Sequence, residues 1–118
     1  MNLSRLRSDI WVAAYLRRCG VEGANAVLRR RGAAEAGAIF VKVDRMDGSA
    51  TLYEPAPQSF AAETRPGVER LFARAHRAPF IDAGEAEERL KREIAFDPDL
   101  WIVEVEDGAE GAWLDLAP

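Results

Sequence analysis

Residues 38–54, AIFVKVDRMDGSATLYE, constrain the fold of this chain more than any other stretch. Ile39, Val41 and Val43 alternate with Phe40 and Lys42, the period of two that a strand with two distinct faces imposes. Asp47-Gly48 follows and suits a tight hairpin, because both residue types tolerate positive φ. The pattern predicts an antiparallel pair with Val43 opposite Leu52, and Lys42 opposite Tyr53 on the other face. Helices in such a chain have to pack on a sheet.

SDIWVAAYLRRCG, residues 8–20, reads as the first helix, with Trp11, Val12, Tyr15, Leu16 and Cys19 at helical spacing. Ser8 can cap its start, Arg17 and Arg18 suit its last turn, and Gly20 can end it. DAGEAEERLKREIAF, residues 82–96, reads as the second: Asp82 and Glu85 form a capping box, Ala86, Leu90 and Ile94 a narrow apolar stripe, and Asp97-Pro98 a stop. Strands are expected near residues 25–31, 38–45, 50–54 and 99–106, with residues 68–77 also read as a strand and AWLDL, residues 112–116, as a short final one. PAPQSFAAETRPG, residues 55–67, is read as a surface loop. The predicted fold is α+β in one domain, residues 1–118, with a mostly antiparallel sheet of about five strands. The second helix precedes the penultimate strand, and both helices cover one face.

No apolar stretch approaches the ~20 residues that a bilayer requires, so no membrane helix is expected. The N-terminus shows no export signal, and the single cysteine, Cys19, fits a reducing compartment, so a cytoplasmic location is expected. The net charge of −4 hides a gradient: residues 1–31 carry seven arginines against Asp9 and Glu22, whereas residues 82–118 carry twelve acids against three bases. The two ends can neutralise each other inside one folded body, or the basic end can face an acidic partner.

Candidate chemistry is sparse. Glu104 and Glu106 share a strand face opposite Trp101, Val103 and Val105, so the carboxylates are expected to point outward toward Arg29, Arg31 or Lys42 on neighbouring strands. With Asp97 and Asp99 they do not form a recognised cation loop, and no metal is expected. RRRGAAEAG, residues 29–37, could hold an anion through its arginines and through amides beside its glycines, yet it matches neither phosphate-binding glycine motif. His76 has no recognisable catalytic partner, Cys19 lies on an apolar stripe, and no serine sits in a catalytic frame. The expected function is therefore a non-catalytic binding or interaction module without a cofactor, with its contact surface at Arg29, Arg30, Arg31 and Lys42. An enzyme acting on a phosphorylated or carboxylated metabolite is the alternative; it predicts a pocket around Arg30, Arg31 and Lys42 with an acid or His76 in reach. A weak nucleic-acid binder is a further alternative, disfavoured by the pI of about 5.1. Edge exposure of AWLDL would allow a homodimer.

Three segments, WVAAYLRRC (11–19), AGAIFVKV (36–43) and FDPDLWIVEVED (96–107), resemble the signature stretches of a small uncharacterised proteobacterial family known only as a domain of unknown function. The resemblance spans nearly the whole chain in order and is weakest over residues 56–81. It implies a short single-domain cytoplasmic protein with no established activity, cofactor or catalytic residues.

Overall fold

The computed structural model describes residues 6–57, 70–106 and 109–118. Helix α1 (Ser8–Val21) turns Val12, Tyr15 and Cys19 into the core, as the spacing predicts. Its start differs from expectation. Ser8 lies inside the helix, and its hydroxyl donates to the Gly37 carbonyl at 2.7 Å. The first amides, on Ser8 and Asp9, donate instead to the carbonyls of Glu35 (3.2 Å) and Ala34 (3.0 Å). A distant loop thus supplies the acceptors that a helix start lacks. The end is set by Gly23 at φ 83°, not by Gly20. The amides of Gly23 and Ala24 donate back to the carbonyls of Gly20 and Cys19, a Schellman closure.

Five strands precede the second helix: β1 (Asn25–Arg30), β2 (Ile39–Asp44), β3 (Ser49–Pro55), β4 (Phe72–Arg74) and β5 (Ile81–Asp82). Helix α2 (Ala83–Phe96) and strand β6 (Trp101–Glu106) follow. The sheet runs β1-β6-β2-β3-β4, with β5 also paired to β3. Every pairing is antiparallel except β2 with β6. The α+β class and mostly antiparallel sheet are as expected, with six strands in place of about five.

The β2–β3 hairpin forms, but one residue out of the predicted register: Val43 pairs with Thr51, Lys42 with Leu52 and Val41 with Tyr53. Its turn spans Arg45 to Gly48 and is longer than two residues. The Asp44 carboxylate accepts from the Met46 amide, and the Asp47 carboxylate accepts from the Ser49 amide and hydroxyl. Met46 at φ 65° and Gly48 at φ 89° complete it. A one-residue slip moves every side chain to the other face. Leu52 accordingly joins Phe40, Leu90, Leu100 and Ile102 in a cluster beneath α2, while Tyr53 joins Ile39, Val41, Val43, Trp101 and Val103 beneath α1.

The helices therefore cover opposite faces, which corrects the expectation that they share one. The reason lies in β6. As an interior strand it is covered on both sides along Trp101–Val103, and such strands read as continuous apolar runs. Asp82 caps α2 by accepting from the Gly84 amide at 3.0 Å, and the helix ends at Asp97 as predicted. The Glu85 carboxylate does not close the predicted capping box; it pairs with Arg89.

Two expected elements change. The strand expected over 68–77 is realised at Phe72–Arg74, with residues 68 and 69 outside the described residues. The loop expected over 55–67 lies outside them from residue 58 onward. AWLDL is no sheet strand: Glu110–Trp113 form a 3-10 turn with Gly111, Ala112 and Trp113 at positive φ, and only Leu116 bridges to Phe72. The tail is nonetheless fastened. The Tyr15 hydroxyl donates to the Ala112 carbonyl at 2.9 Å, and Phe72 exchanges backbone bonds with Asp115 and Ala117.

Candidate anion-binding cleft

The basic residues that the sequence singles out go to three different places. Arg29 on β1 lies under α2, where its guanidinium donates to both oxygens of Glu87 (2.8 and 2.9 Å) and to Glu104 on β6 (3.0 Å). The Lys42 ammonium, its side chain only 7 % exposed, bonds the same Glu87 carboxylate and lies 3.9 Å from Glu104. Two cations thus meet two carboxylates. The Arg29 guanidinium holds Glu87 well below the ordinary carboxylate range, at about 2, and is itself raised by that contact.

Arg30 donates to the Leu100 carbonyl at 3.2 Å, and the Arg31 guanidinium sits 5.3 Å from the centroid of the Trp101 ring. The glycines beside them serve packing. A Cβ on Gly32 or Gly37 would fall 2.2 or 2.3 Å from the Asp99 carbonyl, because this loop wraps the Trp101 indole, whose N–H donates to the Ala33 carbonyl at 2.8 Å. The loop's carbonyls at Ala34 and Glu35 accept from the first amides of α1, and its Ala33 amide donates to the Asp99 carbonyl.

The acids of FDPDLWIVEVED are likewise dispersed. The Asp97 carboxylate accepts from the Asp99 amide, Glu104 enters the ion cluster, and Glu106 accepts from the Asn25 side chain at 2.8 Å. Among the described residues no three His, Cys, Asp or Glu side chains converge as metal ligands.

A cleft of about 840 Å³ opens elsewhere, between the β3–β4 edge, the segment joining β4 to β5, and the C-terminal residues. Arg45 reaches it from the β2–β3 turn, Arg74 from β4 and Arg77 from the following segment; among the described residues Glu110 is the acidic side chain that lines it, and the terminal Pro118 lines it too. Among the described residues Arg74 and Arg77 make no ion pair, and Arg45 bonds the Ser49 hydroxyl and lies 4.4 Å from the Phe80 ring centroid. Phe80, 45 % exposed, and Leu116, 40 % exposed, add apolar surface beside these cations.

His76 holds the wall of the cleft. Where β4 leaves the edge of β3, the Leu52 amide has no strand partner, and it donates to His76 Nε2 at 3.0 Å. Nδ1 lies 2.7 Å from the Ala78 carbonyl. One nitrogen accepts and the other donates, which fixes the neutral tautomer. The Thr51 hydroxyl, donating to the Pro79 carbonyl at 3.1 Å, and Arg89, donating to the Ala75 carbonyl at 2.8 Å, secure the same segment.

Residues 6–115 match a family described as a protein of unknown function, DUF1491. The chain belongs to the DUF1491 family. A crystal structure of a DUF1491 family protein from Caulobacter crescentus CB15 is similar at 33 % identity and a TM-score of 0.75, covering 98 % of this chain and 100 % of that one. The solution structure of protein Atu0922 from A. tumefaciens is similar at 40 % identity and a TM-score of 0.77, covering 96 % and 95 %. An NMR structure of a DUF1491 family protein from Caulobacter crescentus CB15 is similar at 34 % identity and a TM-score of 0.72. No curated protein matches the chain.

Within this DUF1491 chain the sequence singled out His76 among the cleft residues, but not Arg45, Arg74 or Arg77. One signal pointed to them: residues 70–81, RLFARAHRAPFI, carry three arginines and no acid. Arg45 has no such signal, since only the hairpin brings it to the same cleft.

Proposed function

We propose that this DUF1491 protein is a small, non-catalytic cytoplasmic binding module that takes an anionic ligand in the cleft flanked by Arg45, Arg74 and Arg77. The observation that carries the reading is the cationic excess of this cleft, three guanidiniums against one acidic side chain among the described residues, in a chain whose net charge is −4. Arginine forks match carboxylate and phosphate oxygens, and a concave site of several hundred Å³ suits a small ligand. The arginine-bearing contact surface thereby moves from Arg29, Arg30, Arg31 and Lys42, which have partners within the chain, to a second set. The non-catalytic reading rests on His76, both of whose nitrogens serve structural bonds, and on Cys19, buried with its thiol pushed up by desolvation. The cytoplasmic reading rests on that free thiol. No helix among the described residues is long and apolar enough to cross a membrane.

Titrating isotopically labelled protein with inorganic phosphate and with succinate at low salt tests the reading. Amide shifts should cluster at Arg74–Arg77 and Glu110–Gly111 and vanish in an Arg74→Gln/Arg77→Gln double variant. Shifts centred on Arg29–Arg31, or none with either anion, would overturn it.

A further inference from the structure

The cleft also constrains what kind of anion it takes. We infer that its ligand is a phosphate monoester whose phosphoryl group meets Arg45, Arg74 and Arg77 and whose flat apolar body packs on Phe80 and Leu116. The inference rests on the binding-module reading and adds a chemical class to it.

Three observations lead there. Arg45, Arg74 and Arg77 line the cleft from three separate elements, the β2–β3 turn, β4 and the segment after it. A carboxylate offers two oxygens in one plane, whereas a phosphoryl group offers three terminal oxygens in a tetrahedral array, the better match to three forks. Among the described residues the lining side chains carry three guanidiniums against Glu110, an excess that favours the near-dianion of a phosphate monoester at neutral pH over the single charge of a carboxylate. Finally, the volume of about 840 Å³ leaves room well beyond one phosphoryl group, and the surface beside the cations is apolar. Phe80 and Leu116 are two of the eight large hydrophobic residues left exposed among those described, and both line this cleft.

Phenyl phosphate, inorganic phosphate and benzoate, titrated by calorimetry against the full chain at fixed low salt, test the assignment. Phenyl phosphate is expected to bind roughly ten-fold more tightly than inorganic phosphate, the scale set by burying most of one ring. Phe80→Ala should narrow the ratio between phenyl phosphate and inorganic phosphate affinity, while Arg77→Gln should weaken both phosphates. A thermal melt of each variant, unchanged from the parent, shows that the fold persists; if Phe80→Ala melts early, Leu116→Ala replaces it. Equal affinity for phenyl phosphate and inorganic phosphate overturns the apolar body. Benzoate binding as tightly as phenyl phosphate overturns the phosphoryl assignment while the anion-binding module stands. No binding of any of the three sinks both.

Discussion

Arg29 on β1 and Glu87 on α2 face each other through two parallel hydrogen bonds, 2.8 and 2.9 Å long. The pair fastens α2 to the far edge of the sheet, and Glu104 and Lys42 close it into a four-residue cluster. It is also a place where the charge gradient along the chain is neutralised internally, because Arg29 from the basic front meets Glu87 and Glu104 from the acidic rear.

Removing one member of this cluster should cost more than an exposed ion pair would. Glu87→Gln leaves the Lys42 ammonium, almost fully buried, without its nearest carboxylate. The Glu87 side chain is itself 39 % exposed, so water softens the loss. The expected destabilisation is about 2 kcal/mol, between the surface and buried cases, read from the urea midpoint. An unchanged midpoint would show that the cluster adds nothing net.

The same carboxylate sets an acid limb. Its value in the folded chain is depressed, chiefly by the Arg29 hydrogen bonds, from 4.5 to about 2. A depressed carboxylate contributes stability that is present above its unfolded value and lost as pH falls through the folded one. Stability should therefore decline between pH of about 4.5 and 2, and Glu87→Gln should flatten that decline. Chemical denaturation at a series of acidic pH values checks the difference between the two proteins.

Arg29, Lys42 and Glu104 were recognisable from the sequence because strand alternation puts them on one face of neighbouring strands. Glu87 was not, since nothing in a charged helix tells which side of a sheet it covers. The hairpin was legible for a similar reason, and its register was not: Asp44 and Asp47 bond locally and lengthen the turn, an outcome that Asp-Gly alone does not encode. AWLDL looked like a strand by alternation, yet the left-handed conformations at Gly111, Ala112 and Trp113 wind it into a turn fixed by Tyr15. The cleft was hidden because strand pairing, of β3 with β2, β4 and β5, rather than nearness in sequence brings Arg45 and Arg77 to one cleft.

Gly37 makes the close approach between the loop after β1 and the strand that follows α2. A methyl group there would stand 2.3 Å from the Asp99 backbone carbonyl and 2.9 Å from the Trp101 ring, and neither can withdraw without moving β6. Gly37→Ala should destabilise the fold by about 2–4 kcal/mol through overpacking. The measurement is the denaturation midpoint together with the Trp101 indole proton signal, which should shift as its bond to the Ala33 carbonyl is strained. A parent-like midpoint and indole signal would mean that the loop is looser than this packing implies.

His76 substitutes for a missing strand, so its replacement should be felt in the backbone of β3. In His76→Ala the Leu52 amide loses its acceptor, and the segment carrying Arg77, Pro79 and Phe80 loses one of its ties to the sheet. Leaving a part-buried amide unpaired costs about 1–3 kcal/mol. The distinctive sign is local: hydrogen exchange at the Leu52 amide should accelerate more than at its neighbours in β3 that keep their β2 partners. His76→Gln, whose carboxamide oxygen can also accept, should recover part of that protection. If Leu52 exchanges no faster in His76→Ala than in the parent, the imidazole is not what closes the sheet edge there.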